Sequence, residues 1–209
     1  MKQYNFYATL FDAWRWFLDS EKDTAHQDFI DRLNRKPFKS DAAEKGKAFE
    51  ECVNELMNLD ISGQVVKYKN FEFDKNILLD VYNRVKGYSS QIYVERQIQT
   101  SLGQVKIYGY LDKLGFGRVV DIKTTSRYEF PKFLGNFQHH VYPLCLAERC
   151  KILESEYIIT DFKSVYTEQY RFDEEESMNK IKSVSEDIIE FIEYHKGLIT
   201  EQKLFNHGL

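Results

Sequence analysis

The succession of hydrophobic periodicities along this chain predicts an α/β fold with a mixed central β-sheet flanked by helices. Three observations carry that expectation. Apolar residues recur at helical spacing through the first third of the chain. Period-two alternation takes over between residues 91 and 125, in three runs separated by glycine turns. Helical spacing then returns on either side of a further strand signal, an order that suits helices layered on a sheet.

Taken in order, Leu10, Phe11, Trp14, Phe17 and Leu18 follow helical spacing, as do Phe29, Ile30 and Leu33. This assigns residues 1–40 to an N-terminal helical extension. Ser40 or Asp41 caps a helix running to about residue 59, with Ala48, Phe49, Cys52, Val53, Leu56 and Met57 on its apolar side. A further helix covers 75–85. Strands follow at 91–100, 104–114 and 118–125, with turns at Gly103 and at Gly115-Phe116-Gly117. A helical stretch spans 130–149. Pro143 lies inside it, lacks an N–H and crowds the carbonyl of residue 139, so a bend or restart is expected just after Tyr142. A strand at 157–162 pairs with 164–172, and a final amphipathic helix uses Ile181, Val184, Ile188, Ile189 and Ile192. Nothing repeats and no Pro/Gly/Ser linker divides the 209 residues. They read as a single domain: the extension, a core at 41–172, and a helix with its tail at 173–209.

Composition narrows the partners. No apolar run approaches the ~20 residues that span a bilayer, so no membrane association is expected. The beginning, Met1-Lys2-Gln3-Tyr4-Asn5, has no signal-peptide character. Cys52, Cys145 and Cys150 are odd in number and widely spaced, which points to neither disulfides nor zinc and fits a cytoplasmic setting. The net charge of -4 weighs mildly against nucleic-acid binding, yet charge is unevenly placed. Arg32, Arg35, Lys36, Lys39, Lys45 and Lys47 face only Asp41 and Glu44, while Asp173-Glu174-Glu175-Glu176 restores the balance. These runs are either two solvated surfaces or a phosphate-binding patch set against an acidic remainder.

The chemistry concentrates in Gly109-Tyr110-Leu111-Asp112, a turn, and Val119-Val120-Asp121-Ile122-Lys123-Thr124. Alternation sets Asp121 and Lys123 on one face of one strand, and a hairpin brings Asp112 close to Asp121. Two carboxylates converging at a sheet edge repel each other unless a cation stands between them. A divalent ion with oxygen ligands suits that place, and the adjacent ammonium can meet a phosphate. Such a site polarises a phosphodiester and activates a water. Asp161-Phe162-Lys163 and Glu201-Gln202-Lys203 share the triplet but lack the preceding Gly-x-x-Asp strand and the following long helix.

Four motifs fall in order over about residues 46–142: Gly46-Lys47-Ala48-Phe49-Glu50, Gly109-Tyr110-Leu111-Asp112, Asp121-Ile122-Lys123-Thr124 and Gln138-His139-His140-Val141-Tyr142. Together they resemble the PD-(D/E)XK nuclease superfamily, in its RecB-type and lambda-type phage exonuclease branch. The resemblance implies a restriction-endonuclease-like core and one or two Mg²⁺ or Mn²⁺ ions. Asp112, Asp121, Glu50 and the Ile122 carbonyl would be the metal ligands. Lys123 would orient water or stabilise the phosphorane, and Gln138 and Tyr142 would line the site. The implied activity is DNA exonuclease action on linear ends, in recombination or repair. A single-strand annealing protein as partner and a ring-like homo-oligomer come with the same resemblance. Some relatives hold an iron–sulfur cluster on four cysteines. Three scattered cysteines do not supply it, and no such cluster is expected. An endonuclease of the same fold, or an idle member that binds DNA or protein, are the alternative readings.

His139 and His140 point about 100° apart on a helix and do not share an ion; packed or DNA-facing roles are expected of them. Gln-x-x-x-Tyr also occurs at Gln64/Tyr68 and Gln104/Tyr108, but only Gln138/Tyr142 follows the Asp-x-Lys strand on a helix.

Overall fold

A computed structural model of the chain describes residues 2–37 and 40–205. Its centre is a six-stranded mixed sheet, with a separate two-stranded hairpin. The strands are β1 (Gln3–Tyr7), β2 (Val65–Tyr68), β3 (Phe71–Asp74), β4 (Ser89–Gln99), β5 (Gln104–Gly115), β6 (Arg118–Thr124), β7 (Glu154–Thr160) and β8 (Val165–Arg171). The helices are α1 (Ala8–Asp19), α2 (Ala25–Leu33), α3 (Asp41–Glu55), α4 (Lys75–Val85), α5 (Gln138–Leu146) and α6 (Glu174–Tyr194). Side-chain caps set three helix starts, because an unpaired helical N–H needs an acceptor. Ser40 accepts from the Ala43 N–H, Asp74 from Asn76 and Ile77, and Asp173 from Glu176.

The ladder around β5 makes the site possible. β4 runs antiparallel along one edge of it, from Gln104 to Leu114. The other edge is shared. β1 lies parallel to Gln104–Tyr108, and β6 pairs antiparallel only with Lys113–Gly115. Between these two neighbours the sheet forks at residues 109–112. β6 continues parallel to β7, and β7 antiparallel to β8.

Two cores pack against the sheet. On one face α1, α2, α5 and α6 bury Phe6, Leu10, Phe11, Phe29, Val105, Ile107, Val141, Ile181 and Ile188. On the other, α3 and α4 with the β2–β3 hairpin bury Phe49, Cys52, Val53, Phe73, Leu78 and Val81 against Val120, Ile122 and Ile158. The mixed sheet flanked by helices is as expected from periodicity.

Several local expectations need correction. The N-terminal extension is not wholly helical. β1 is a strand of the central sheet, and its partner β5 lies far along the chain, so no local pattern announces it. The helix expected over 130–149 is limited to α5. Before it, the backbone N–H groups of Lys132 and Phe133 donate to the buried Glu168 carboxylate at 2.8 and 3.0 Å, a bonding scheme that replaces helical bonds. Pro143 does not end α5. The His139 carbonyl that it deprives of a donor accepts instead from the Ser155 hydroxyl at 3.2 Å. The short β2–β3 hairpin was not foreseen.

Candidate active site

At the fork, Asp112 reaches across from β5 and accepts a hydrogen bond from the Ile122 N–H of β6 at 2.8 Å. N–H and C=O of one strand residue point to the same edge, so the Ile122 carbonyl also faces the fork. Asp121, buried at 6% exposure, forms an ion pair with the Lys123 ammonium. The oxygen in that pair is Asp121 Oδ2, so the Lys123 ammonium is its partner in the buried site. Lys123 Nζ donates to Gln138 Oε1 at 2.6 Å, and Gln138 Nε2 donates to the Tyr142 hydroxyl at 3.2 Å. Gln138 and Tyr142 sit one turn apart on α5 and act as a brace for the lysine.

Two motif glycines are required by close approach. A Cβ on Gly46 would stand 2.5 Å from Thr124 Oγ1, so its absence lets α3 meet the end of β6 and carries Glu50, one turn later, to the fork. A Cβ on Gly109 would stand 2.9 Å from Tyr142 Cε1 and 3.3 Å from the Ala8 Cβ. Glu50 accepts a hydrogen bond from Gln91 Nε2, and Gln91 itself has a left-handed backbone with φ 52°.

The electrostatics follow from gathering three carboxylates. Burial, then Asp121 and Glu50, hold the Asp112 carboxyl well above the usual carboxylate range, against the Ile122 N–H and Lys123. Burial and Asp121 raise Glu50 as well. Burial opposes the Lys123 ammonium, but Asp121, Asp112 and Asp12 outweigh it, so its pKa lies above the ordinary lysine value. Among the described residues, no three His, Cys, Asp or Glu side chains are already grouped as ligands of one ion. The donors nevertheless suit a hard cation. They are carboxylate oxygens beside a backbone carbonyl.

Sequence reasoning passed over two neighbours. Asp12 of α1 accepts from the Phe137 N–H at 2.6 Å, fixing the start of α5 directly before Gln138. Burial, opposed by that N–H and by Lys123, pushes its carboxyl up to about 6. An acid on an amphipathic helix gives no signal of this in the chain. Lys113, buried at 5% exposure, donates to Ser90 Oγ at 2.7 Å; burial lowers its pKa, while Glu50 and Asp112 pull it up. Its place beside Asp112 was the only available hint.

The basic run divides. Arg32, Arg35 and Lys36, with Tyr7, line an open pocket of about 260 Å³ beside β1. Lys36 pairs with Asp31 at 2.8 Å. Lys45 lies elsewhere, 4.1 Å from the Phe162 ring centroid, and Lys47 is exposed on α3. Lys39 lies outside the described residues. His139 stacks on Tyr170 and reaches the Tyr157 hydroxyl at 3.2 Å, while His140 reaches Ser177 Oγ at 2.9 Å. Burial pushes them down to about 3 and about 4, so both are neutral packed residues. Asp161 accepts from the Lys163 and Ser164 N–H groups in the β7–β8 turn, which makes that triplet a turn element.

No family model and no curated protein sequence matches the chain. Solved structures do. One, from Eubacterium rectale and named "Putative exonuclease", aligns with a TM-score of 0.58 at 12% identity, covering 94% of this chain and 83% of that one. The crystal structure of SSO0001 aligns at 0.53 and 12% identity, covering 90% and 76%. The fold of this chain is similar to that of both structures. At this identity the likeness concerns architecture alone. No helix among the described residues is long and apolar enough to cross a membrane.

Proposed function

We propose that this chain is a metal-dependent DNA nuclease of the PD-(D/E)XK type, acting as an exonuclease on linear DNA in recombination or repair. One observation carries the reading. Asp112 and Asp121 meet where β5 and β6 part, and the Lys123 ammonium stands beside them, paired with Asp121 Oδ2. Asp112, Asp121 and the Ile122 carbonyl would hold a Mg²⁺ or Mn²⁺ ion, and Glu50 would join on release from Gln91. When bound, such an ion polarises the phosphodiester and lowers the pKa of its water. Lys123, still charged near neutrality and braced by Gln138, places a positive charge where phosphorane charge develops. Zinc is disfavoured because, among the described residues, the fork gathers carboxylates and a backbone carbonyl, while His139 and His140 are packed elsewhere.

Preference for ends follows the family resemblance, and among the described residues no long insertion that could read bases interrupts the strands. The resemblance extends the proposal to a single-strand annealing protein as partner and to a ring of copies. The decisive experiment incubates end-labelled linear duplex and covalently closed circles with and without Mg²⁺. Steady release of short products from linear DNA alone, only with the ion, is expected. Equal attack on closed circles would transfer the site to an endonuclease, and binding without cleavage would make it an idle member.

A further inference from the structure

Among the described residues, one half of one sheet face has no apolar core over it; the 32–35 segment lies over Tyr7 and Tyr108, and the Lys203 carbonyl meets Asn5. The core under α3 and α4 includes Val120 and Ile122 of β6 and Ile158 of β7, but no side chain of β1, β4 or β5. Alternation gives that half Gln3, Asn5 and Tyr7 from β1, Gln104, Lys106, Tyr108 and Tyr110 from β5, and Gln91, Tyr93, Glu95, Gln97 and Gln99 from β4. No aliphatic side chain is among them. A merely solvated face has no need of four tyrosines. Tyr110 is 61% exposed and Tyr93 41%. Tyr93 lies directly opposite Tyr110 in the ladder, their centroids 5.3 Å apart, with Tyr108 6.3 Å from Tyr93.

The cations beside these rings are placed in order. The Arg35 guanidinium lies over Tyr7 at 5.2 Å and over Tyr108 at 5.9 Å, hydrogen-bonds the Tyr108 hydroxyl, and holds a left-handed backbone with φ 52°. Lys106 Nζ lies 5.8 Å from the Tyr108 centroid and is shared with Glu95 at 3.6 Å. Beyond Arg35 the pocket with Arg32 and Lys36 continues the positive edge. At the other end the row runs into the fork. Tyr110 is two residues before Asp112, about 7 Å along the strand, and Gln91, two residues from Tyr93, holds Glu50.

We infer that this face binds an unpaired nucleic-acid strand, with bases stacked on Tyr93 and Tyr110 and phosphates along Arg35, Lys36 and Lys106, leading into the carboxylates. Rings with accessible π-faces flanked by cations take bases of any sequence, whereas a duplex hides its base faces. Cross-strand contact holds the tyrosines in place before a ligand arrives. The inference rests on the nuclease reading for its direction into the site, but its test needs no cleavage.

With divalent ions chelated, affinity for a short oligothymidylate and for a blunt duplex is measured by fluorescence anisotropy. The oligothymidylate is also made with iodouracil and cross-linked by light. Expected are tighter binding of the single strand and cross-links in the tryptic peptides 87–96 and 107–113. The Tyr93→Leu/Tyr110→Leu pair should weaken single-strand binding roughly 10- to 100-fold, while the Tyr93→Phe/Tyr110→Phe pair, which keeps the rings, should stay within about threefold of wild type. Circular dichroism of the leucine pair would show an intact fold. Cross-links confined to other peptides, leucine and phenylalanine pairs that behave alike, or a preference for duplex would overturn the platform. A chain that binds the strand yet never cleaves DNA would refute only the nuclease reading.

Discussion

Asp12→Asn should make the protein more stable at neutral pH and hardly more stable in acid. The Asp12 carboxyl is lifted from the ordinary 3.8 to about 6, chiefly by burial. Because its folded pKa lies above the unfolded one, the folded chain holds this proton after the unfolded chain has released it. The group's contribution is therefore fully favourable below about 4 and is lost as pH rises through about 6. At about 1.36 kcal/mol per pH unit, ionised Asp12 costs the fold on the order of 3 kcal/mol near pH 7. Asparagine keeps an oxygen for the Phe137 N–H and carries no charge. Guanidinium unfolding of both proteins, followed by tryptophan fluorescence in EDTA, reads the difference. It should grow from under about 1 kcal/mol at pH 4 to about 3 kcal/mol at pH 7. A difference that stays flat with pH, or favours the wild type as pH rises, would refute the placement of Asp12 in the buried site.

Lys123→Ala should lower turnover on linear DNA by roughly 100-fold or more with binding retained, while Lys163→Ala, in the β7–β8 turn, stays near wild type; equal losses would show that the wrong triplet was chosen. Gly46→Ala should cost about 1–3 kcal/mol and reduce cleavage, because its Cβ meets Thr124 Oγ1 at 2.5 Å. Thr124→Ala in the same chain should restore much of the stability in unfolding curves, and failure to do so would remove that contact as the cause. Arg35→Glu with Lys36→Glu should weaken DNA binding and flatten its salt dependence by roughly 0.9 in slope per lost duplex phosphate contact; an unchanged slope in anisotropy titrations would detach the pocket beside β1 from the DNA path.

The sequence by itself determined which residues could meet and on which strand faces. Two-residue alternation places Asp121 and Lys123 together, a tight turn returns Asp112 to them, and one helical turn pairs Gln138 with Tyr142. Such relations span a few residues and depend only on backbone geometry, so they are readable without the fold. The tertiary structure alone decided what joins elements far apart in the chain. β1 has its partner about a hundred residues away at Gln104–Tyr108, and Asp12 finds the Phe137 N–H across α1 and α5. Glu168 takes the backbone donors that a longer α5 would have used, and Ser155 rescues the carbonyl freed by Pro143. The fork itself belongs to this class. It exists because β1 and β6 share one edge of β5, and a shared edge has no local signature in the amino-acid order.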